Sequence, residues 1–193
     1  MQVMQAEGIP ANTVTYNAAV SAGGKGGQWQ RALQLMEDMQ AQGIPVDTIT
    51  YNAAISACEE SRQWQRALQL MEDMQAQDIP AATVTYNAAT SACAKDEQWQ
   101  RALQLMQDMQ AQGIPADTIT YNAAISACET GGQWQRALQL MQDMQAKGIP
   151  VDTITYSATI SACGKAGQWQ WTLEPMEDLQ ARGILADTIT CNA

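Results

Sequence analysis

Apolar residues along the chain recur three and four positions apart, in short segments separated by polar or glycine-containing breaks. One face of an α-helix produces this spacing, so the pattern predicts amphipathic helices. The side-chain oxygens of Asp47 and Thr48 suit the N-cap of one such helix. Its apolar stripe consists of Tyr51, Ala54, Ile55 and Cys58. A second stripe follows a break at residues 60–62 and consists of Trp64, Ala67, Leu68, Met71 and Met74.

The same pair of predicted helices is repeated along the chain at intervals of 35 residues. The tryptophan at the start of the second helix recurs at Trp29, Trp64, Trp99, Trp134 and Trp169. In most copies Gly-Ile-Pro closes that helix, because glycine accepts a left-handed backbone and proline cannot continue a helix. Five complete repeats are predicted at residues 13–47, 48–82, 83–117, 118–152 and 153–187. Residues 1–12 are expected to end an earlier repeat, and residues 188–193 to begin a further one.

Two helices of this length cannot bury their apolar stripes alone, whereas stacked neighbours bury them in a continuous core. The sequence therefore predicts an all-α fold, an α-solenoid of stacked helix-turn-helix repeats. The tryptophan and methionine stripes are assigned to its core. The same assignment covers Cys58, Cys93, Cys128 and Cys163. In the fifth repeat Pro175 is expected to kink or shorten the second helix, because proline lacks a backbone N–H donor.

The composition excludes several classes of function. The chain has a net charge of −10 and contains no histidine. Without an imidazole, Ser-His-Asp catalysis, Cys-His catalysis and the commonest zinc sites are ruled out. We therefore expect no enzymatic activity, no metal, no cofactor and no small-molecule substrate. No apolar run approaches the ~18–20 residues that cross a bilayer, so we expect no membrane partner either.

The repeat resembles the pentatricopeptide repeat. Residues 48–58 read TITYNAAISAC, and they are followed by the pair Ala67-Leu68, by Met74 and by Ile79-Pro80. The tetratricopeptide repeat has a similar period, but the Gly-Tyr pair that follows its tryptophan is missing here. The resemblance covers essentially the whole chain, as five full repeats with partial repeats at both ends, and looks like the P-type subclass. It implies a right-handed superhelix of stacked repeats.

The resemblance also implies sequence-selective binding of single-stranded RNA, with one base per repeat. It implies that the fifth and last residues of a repeat read the base, and that the second residue packs against the base face. The fifth residues are Asn17, Asn52, Asn87, Asn122 and Ser157. The last residues are Asp47, Ala82, Asp117, Asp152 and Asp187. The second residues are Val14, Ile49, Val84, Ile119 and Ile154.

The family's pairing rule implies a U-rich target. Asn with Asp implies uracil, and Ser with Asp implies a purine, most readily guanine. Asn52 with Ala82 departs from the rule, so the implied sequence is roughly 5′-UNUUG-3′. Phosphate contacts are implied at one equivalent position near the end of the first helix, occupied by Lys25, Lys95 and Lys165. Repeats two and four carry Glu60 and Thr130 there instead.

Helical spacing supports part of this geometry independently, because it places Ile49 and Asn52 on one face of the first helix, opposite the apolar stripe. An isoleucine there can contact the face of a base, and an asparagine can donate and accept hydrogen bonds at its edge. A second interpretation stays open, in which Ile49 packs against the next repeat and Asn52 makes a local capping bond.

Charge is the main argument against an RNA partner. Nucleic-acid binders are usually basic, whereas this chain has a net charge of −10. The alternative functions are a protein–protein interaction scaffold and a solvated acidic solenoid without an RNA partner. If RNA is bound, the resemblance implies a mitochondrial or chloroplast protein that acts in RNA processing, stability, translation or editing support.

Overall fold

A computed structural model describes residues 12–181, which form α-helices and short connections without a β-strand. The helices are α1 (Thr13–Lys25), α2 (Trp29–Ala41), α3 (Thr48–Glu60), α4 (Trp64–Ala76), α5 (Thr83–Lys95), α6 (Trp99–Ala111), α7 (Thr118–Thr130), α8 (Trp134–Ala146), α9 (Thr153–Lys165) and α10 (Leu173–Ala181). Odd-numbered helices are the first helices of the predicted repeats, and even-numbered helices are the second. None of the described helices is both long and apolar enough to cross a membrane.

The chain divides into two compact units, residues 1–92 and 93–193, and α5 begins in the first unit and ends in the second. In the first unit α1 packs against α2 and α3, and α3 packs against α2 and α4. In the second unit α7 packs against α6, α8 and α9, and α9 packs against α8 and α10. The predicted all-α fold of stacked helix pairs is confirmed within each unit. The predicted partial repeats lie outside the described residues, apart from Asn12.

The apolar stripe predicted on the first helix is the centre of the core. In α3, Tyr51, Ala54, Ile55 and Cys58 are all at most 1% exposed. Burial raises the pKa of the Cys58 thiol to about 11, and the nearby positive charge of Arg66 offsets only part of that rise. The four described cysteines of the first helices are all buried and free. They pack as small apolar side chains, as the sequence predicts.

The second helices bury their methionines, whereas the tryptophans assigned to the core lie at its edge: Trp134 packs against the core but is only partly buried. Met71 and Met74 are 5% and 0% exposed, whereas Trp64 is only half-buried and Trp169 is 65% exposed. The reason is visible at Trp99, whose ring packs on the turn of the following repeat. A Cβ atom added to Gly131 in that turn would lie 2.3 Å from Trp99 Cδ1. Such a ring covers a surface turn and cannot be fully enclosed.

The helix ends follow the capping signals in the sequence. Asp47 is the N-cap of α3, and its carboxylate accepts a 2.9 Å hydrogen bond from the backbone N–H of Thr50. After α2, Gly43 adopts a φ of +69°, and the N–H of Ile44 donates to the carbonyl of Met39 at 3.0 Å. This arrangement satisfies a carbonyl that the helix end would otherwise leave unpaired.

The fifth repeat departs from the others as predicted. Its second helix begins with a 3₁₀ turn at Trp169–Thr172, in which the N–H of Trp171 donates to the carbonyl of Gln168 at 3.0 Å. The α-helix begins only at Leu173, which places Pro175 in its first turn. Proline is tolerated there because the N–H groups of the first turn have no partner within the helix.

One buried polar group in the described core lacks a hydrogen-bond partner. The Thr90 hydroxyl is fully buried and has no hydrogen-bond partner in the described part of the chain. The other repeats place an apolar residue at this position: Val20, Ile55, Ile125 and Ile160. A buried hydroxyl without a partner loses its hydrogen bonds to water and gains none in return.

We expect Thr90→Val to raise the free energy of unfolding by about 1 kcal/mol, because valine keeps the shape of threonine and removes the orphaned hydroxyl. Urea unfolding followed by circular dichroism measures the change. The matched control is Thr159→Val, since Thr159 is equally buried but its hydroxyl donates to the carbonyl of Thr155 at 2.8 Å. An equal gain in both variants, or no gain at Thr90, contradicts the interpretation.

Candidate functional site

An exposed aliphatic side chain lies near the start of each first helix. In α3, Ile49 is 63% exposed although Tyr51, two residues later, is buried. The second residue of every repeat is exposed in the same way: Val14 75%, Ile49 63%, Val84 59%, Ile119 59% and Ile154 61%. The alternative in which Ile49 packs against the next repeat is therefore wrong. An exposed aliphatic side chain at the same position of each repeat is available to contact a ligand.

The structure brings the fifth and last residues of a repeat together. In the first repeat, Asn17 Nδ2 donates to Asp47 Oδ1 at 3.2 Å. In the fourth repeat, Asn122 Nδ2 donates to Asp152 Oδ1 at 3.1 Å and lies 3.2 Å from Oδ2. Two residues separated by 30 positions in the sequence thus form one polar unit beside an exposed aliphatic side chain.

A threonine from the following repeat completes this polar unit. Thr50, the third residue of repeat two, donates its hydroxyl proton to Asn17 Oδ1 at 2.5 Å. In the fourth repeat, Thr155 donates to Asn122 Oδ1 at 2.6 Å. Both threonines are fully buried. The two ends of each asparagine amide therefore have different partners, a hydroxyl on the oxygen side and a carboxylate on the nitrogen side.

Repeat two contains only half of this arrangement. The Thr85 hydroxyl donates to Asn52 Oδ1 at 2.7 Å, as the equivalent threonines do for repeats one and four. Residue 82 is alanine, so no carboxylate faces Asn52 Nδ2 from the last position of this repeat. The departure from the pairing rule in the sequence is thus also a difference in hydrogen bonding.

Three of the other predicted base-reading residues lie within the described part of the chain. Asn87 is 7% exposed, close to the 9% of Asn122. Asp117 is the N-cap of α7 and forms a capping box with Thr120. Ser157 lies in α9, half-buried at the fifth position. Asp187, its predicted partner, lies outside the described residues.

A groove follows the first helices of repeats one and two. It encloses a cavity of about 580 Å³. Asn17 and Asn52 line it together with Ile49, Lys25 and Glu59. Its volume falls in the ~300–1,000 Å³ range of sites for small organic groups. The groove therefore collects an asparagine from each of two repeats, an aliphatic contact and one predicted phosphate-binding lysine.

The lysine predicted to bind phosphate in the fifth repeat is already engaged. Lys165 Nζ lies 2.8 Å from Glu129 Oε1, and the same oxygen accepts a hydrogen bond from the Ser161 hydroxyl at 2.6 Å. The Lys165 side chain is 59% exposed and that of Glu129 is 19% exposed. An ion pair this exposed contributes little to stability, but it reduces the positive charge that Lys165 offers to a ligand.

Electrostatics at Asp47 follow from its hydrogen bonds. Burial by itself raises the pKa of its carboxyl group, because it disfavours the charged form. Donors from Thr50, Asn17 and Ile49 stabilise the carboxylate and outweigh burial, so the pKa of Asp47 is lowered from 3.8. The carboxylate that faces Asn17 is thus charged at neutral pH and well supplied with donors.

Two features of this surface did not emerge from the sequence alone. The third-position threonine is a conspicuous polar residue between two apolar ones, but its partner lies 33 residues earlier in the chain. The pair Glu129 and Lys165 is likewise separated by 36 residues. A comparison of polar positions one repeat apart could have indicated both contacts. In residues 12–181 no cluster of three or more cysteine, aspartate or glutamate side chains is arranged to hold a metal ion.

The chain is similar to known helical-repeat proteins. The family model described as the pentacotripeptide-repeat region of PRORP matches residues 3–185. No curated protein sequence matches the chain. The crystal structure of the pentatricopeptide repeat protein PPR10 from maize has a TM-score of 0.72 and 24% identity, and the match covers 99% of this chain and 27% of that one.

Two further structures contain RNA. PPR10 in complex with an 18-nt psaJ RNA element has a TM-score of 0.72 and 22% identity, over 96% of this chain and 31% of that one. The PPR domain of Arabidopsis thaliana protein-only RNase P 1 in complex with tRNA has a TM-score of 0.76 and 14% identity, over 90% of this chain and 91% of that domain. This chain spans less than a third of the PPR10 chains, and likeness at such identities establishes the fold.

We expect the stabilising effect of the Asp47 carboxylate to depend on pH. Because folding lowers its pKa from 3.8, its contribution is present above about pH 4 and is lost as the pH falls through the lowered value. Asp47→Asn should cost roughly 0.5–1 kcal/mol at pH 7 through the lost charge at the helix N-terminus. Urea unfolding of both proteins between pH 7 and pH 2.5 should show the difference shrinking below pH 4. A difference that is constant across this range contradicts the assignment.

Proposed function

Because this chain belongs to the pentatricopeptide-repeat family, we propose that it binds single-stranded RNA sequence-selectively, with one base per repeat. The observation that carries the proposal is the polar pair of fifth and last residues beside an exposed aliphatic side chain. It occurs at Asn17 with Asp47 and at Asn122 with Asp152. Ile49 and Ile119, each exposed on the first helix of its own repeat, supply flat apolar contacts suited to the face of a base.

The chemistry of the pair favours uracil. Asn122 Nδ2 carries two hydrogens, of which one is donated to Asp152, so the second can be donated to a carbonyl oxygen of the base. Uracil presents carbonyl oxygens on both sides of an N–H donor, and the Asp152 carboxylate accepts such a donor. Cytosine presents an unprotonated ring nitrogen in place of the N–H, which a carboxylate repels.

The proposed role is occupancy of RNA without chemical reaction. The groove in repeats one and two has room for a base and is lined by one lysine and two glutamates, Glu59 and Glu60, and by no histidine. Within the proposal, the bases follow the order 5′-UNUUG-3′. The cellular setting that we propose is RNA processing, stability, translation or editing support in a mitochondrion or chloroplast.

We expect Asn122→Ser to change the base preferred by repeat four from uracil to guanine, because it creates the Ser–Asp combination of repeat five. Fluorescence anisotropy at low salt, with probes containing UUUUG and UUUGG, measures the two affinities. Wild type should prefer the first probe by about tenfold, which corresponds to ~1.4 kcal/mol, and the variant should prefer the second.

The matched control is Asn52→Ser with the second base of the probe varied, because residue 82 supplies no carboxylate to the pair. It should shift preference much less. An Asn122→Ser variant that keeps the wild-type ratio contradicts base reading by this pair. A folded wild-type chain without affinity for either probe, also after extension by further repeats, favours the protein-interaction scaffold.

We also expect Glu129→Gln to strengthen RNA binding, because it releases Lys165 from its ion pair. Affinity at low salt should rise about two- to fivefold. The slope of log affinity against log salt should steepen by about 0.7, the value for one additional phosphate contact on a single strand.

The matched control is Glu72→Gln, which removes the same charge from the exposed face of α4. It should change affinity and slope less than Glu129→Gln does. Equal changes in the two variants would mean that net charge alone, and not the ion pair, controls binding.

A further inference from the structure

The third residue is threonine in every complete repeat, and in three of these repeats its hydroxyl contacts the preceding repeat. The hydroxyls of Thr50, Thr85 and Thr155 donate to the asparagine oxygens of the preceding repeat at 2.5, 2.7 and 2.6 Å. We propose that this threonine is a positioning residue for base selection, because it fixes which end of the asparagine amide faces the base. The inference rests on the proposed RNA-binding function and deepens it.

The backbone determines the direction of this hydrogen bond. The Thr155 hydroxyl accepts from the N–H of Asp152 at 3.3 Å, as part of the capping box of α9. A hydroxyl that accepts from the backbone has one proton left to donate. Asn122 Oδ1 at 2.6 Å lies nearer to the hydroxyl than Asp152 Oδ1 at 3.0 Å. Thr155 therefore acts chiefly as a donor to the amide oxygen.

The amide of Asn122 is thereby held at both ends. Its oxygen accepts from Thr155, and its nitrogen donates to the Asp152 carboxylate. Rotation of the amide by 180° would place Oδ1 against that carboxylate, where two acceptors repel each other. Nδ2 retains one hydrogen for a further acceptor, whereas Oδ1 is already engaged by the buried Thr155 hydroxyl. Asn122 thus offers the base a donor, which suits the carbonyl oxygens of uracil and not the amino group of cytosine.

Repeat two provides a natural comparison. The Thr85 hydroxyl donates to Asn52 Oδ1 and accepts from the N–H of Ala82 at 3.0 Å, so the threonine contact is intact. The carboxylate contact is missing because residue 82 is alanine. The amide of Asn52 is held at one end only, so repeat two should select its base less strictly than repeat four. Ala82→Asp should supply the missing carboxylate contact to Asn52 and make base selection by repeat two stricter.

The test compares discrimination between UUUUG and UUUCG probes by wild type and by Thr155→Val, which removes only the hydroxyl. The ratio of affinities should fall from about tenfold in wild type to about twofold or less. Thr155→Ser retains a hydroxyl and should retain the ratio. Thr159→Val, which removes another buried hydroxyl of α9, should also retain it. Loss of stability alone would lower affinity for both probes and leave the ratio unchanged.

A second measurement needs no RNA. The side-chain amide protons of Asn122, assigned in NMR spectra by their loss in Asn122→Ser, should exchange with solvent more slowly in wild type and Thr155→Ser than in Thr155→Val. Together the measurements separate the two proposals. A wild type without base preference overturns the proposed function and the inference with it. A wild type that discriminates, with an unchanged ratio and unchanged amide exchange in Thr155→Val, overturns the inference alone.

Discussion

The aspartate that ends a repeat has two roles: it caps the next helix, and it accepts a hydrogen bond from the asparagine of its own repeat. Asp47 starts the next helix, because its Oδ1 atom accepts the N–H of Thr50 at 2.9 Å, and it also accepts the amide of Asn17 at 3.2 Å. A capping carboxylate has little rotational freedom, since the helix N-terminus fixes the direction of its donors. The Asn17 amide that donates to this carboxylate is therefore also held in a fixed orientation. The geometry of the proposed reading surface is therefore set by the start of a helix.

This coupling explains how much of the fold and of the site could be predicted from the sequence. Periodicity located the buried stripe of Tyr51 and Ile55 and the exposed side chain of Ile49, because each depends on local helical geometry. Periodicity could not place Trp99, whose ring rests on Gly131 in the following repeat. The contacts of Thr50 and of Lys165 likewise reach across about one repeat length. The partners of these residues are determined by how neighbouring repeats stack, and a helical wheel of one helix gives no information about stacking.

Because the repeats are nearly identical, a comparison between two of them shows what a single side chain contributes. Repeats one and four hold both ends of the asparagine amide, and repeat two holds one end, while the threonine contact is the same in all three. In the same way, Arg62, Asp78 and Glu97 adopt positive φ angles of 54°, 55° and 59°, at positions where the remaining repeats place glycine. A non-glycine residue in that region carries a strain of about 1 kcal/mol or more. The chain thus varies its capping, turns and polar pairs, while the buried tyrosine at the start of each first-helix stripe stays the same.

The negative charge of the chain bears on how RNA binding can work. Phosphate neutralisation supplies much of the affinity of basic nucleic-acid binders, but here Lys165 is paired with Glu129 and Lys25 shares its groove with Glu59. Lysines with glutamates nearby gain less from phosphates, so the proposed RNA binding would draw more of its free energy from contacts with the bases. In the proposed complex those contacts come from the exposed isoleucines and valines and from the asparagine amides. Phosphate contacts contribute the same binding free energy whatever the base sequence. When they are weak, affinity for unrelated sequences is therefore low as well. Selectivity at the polar pairs would then make up a larger share of the total binding free energy than it does on a basic surface.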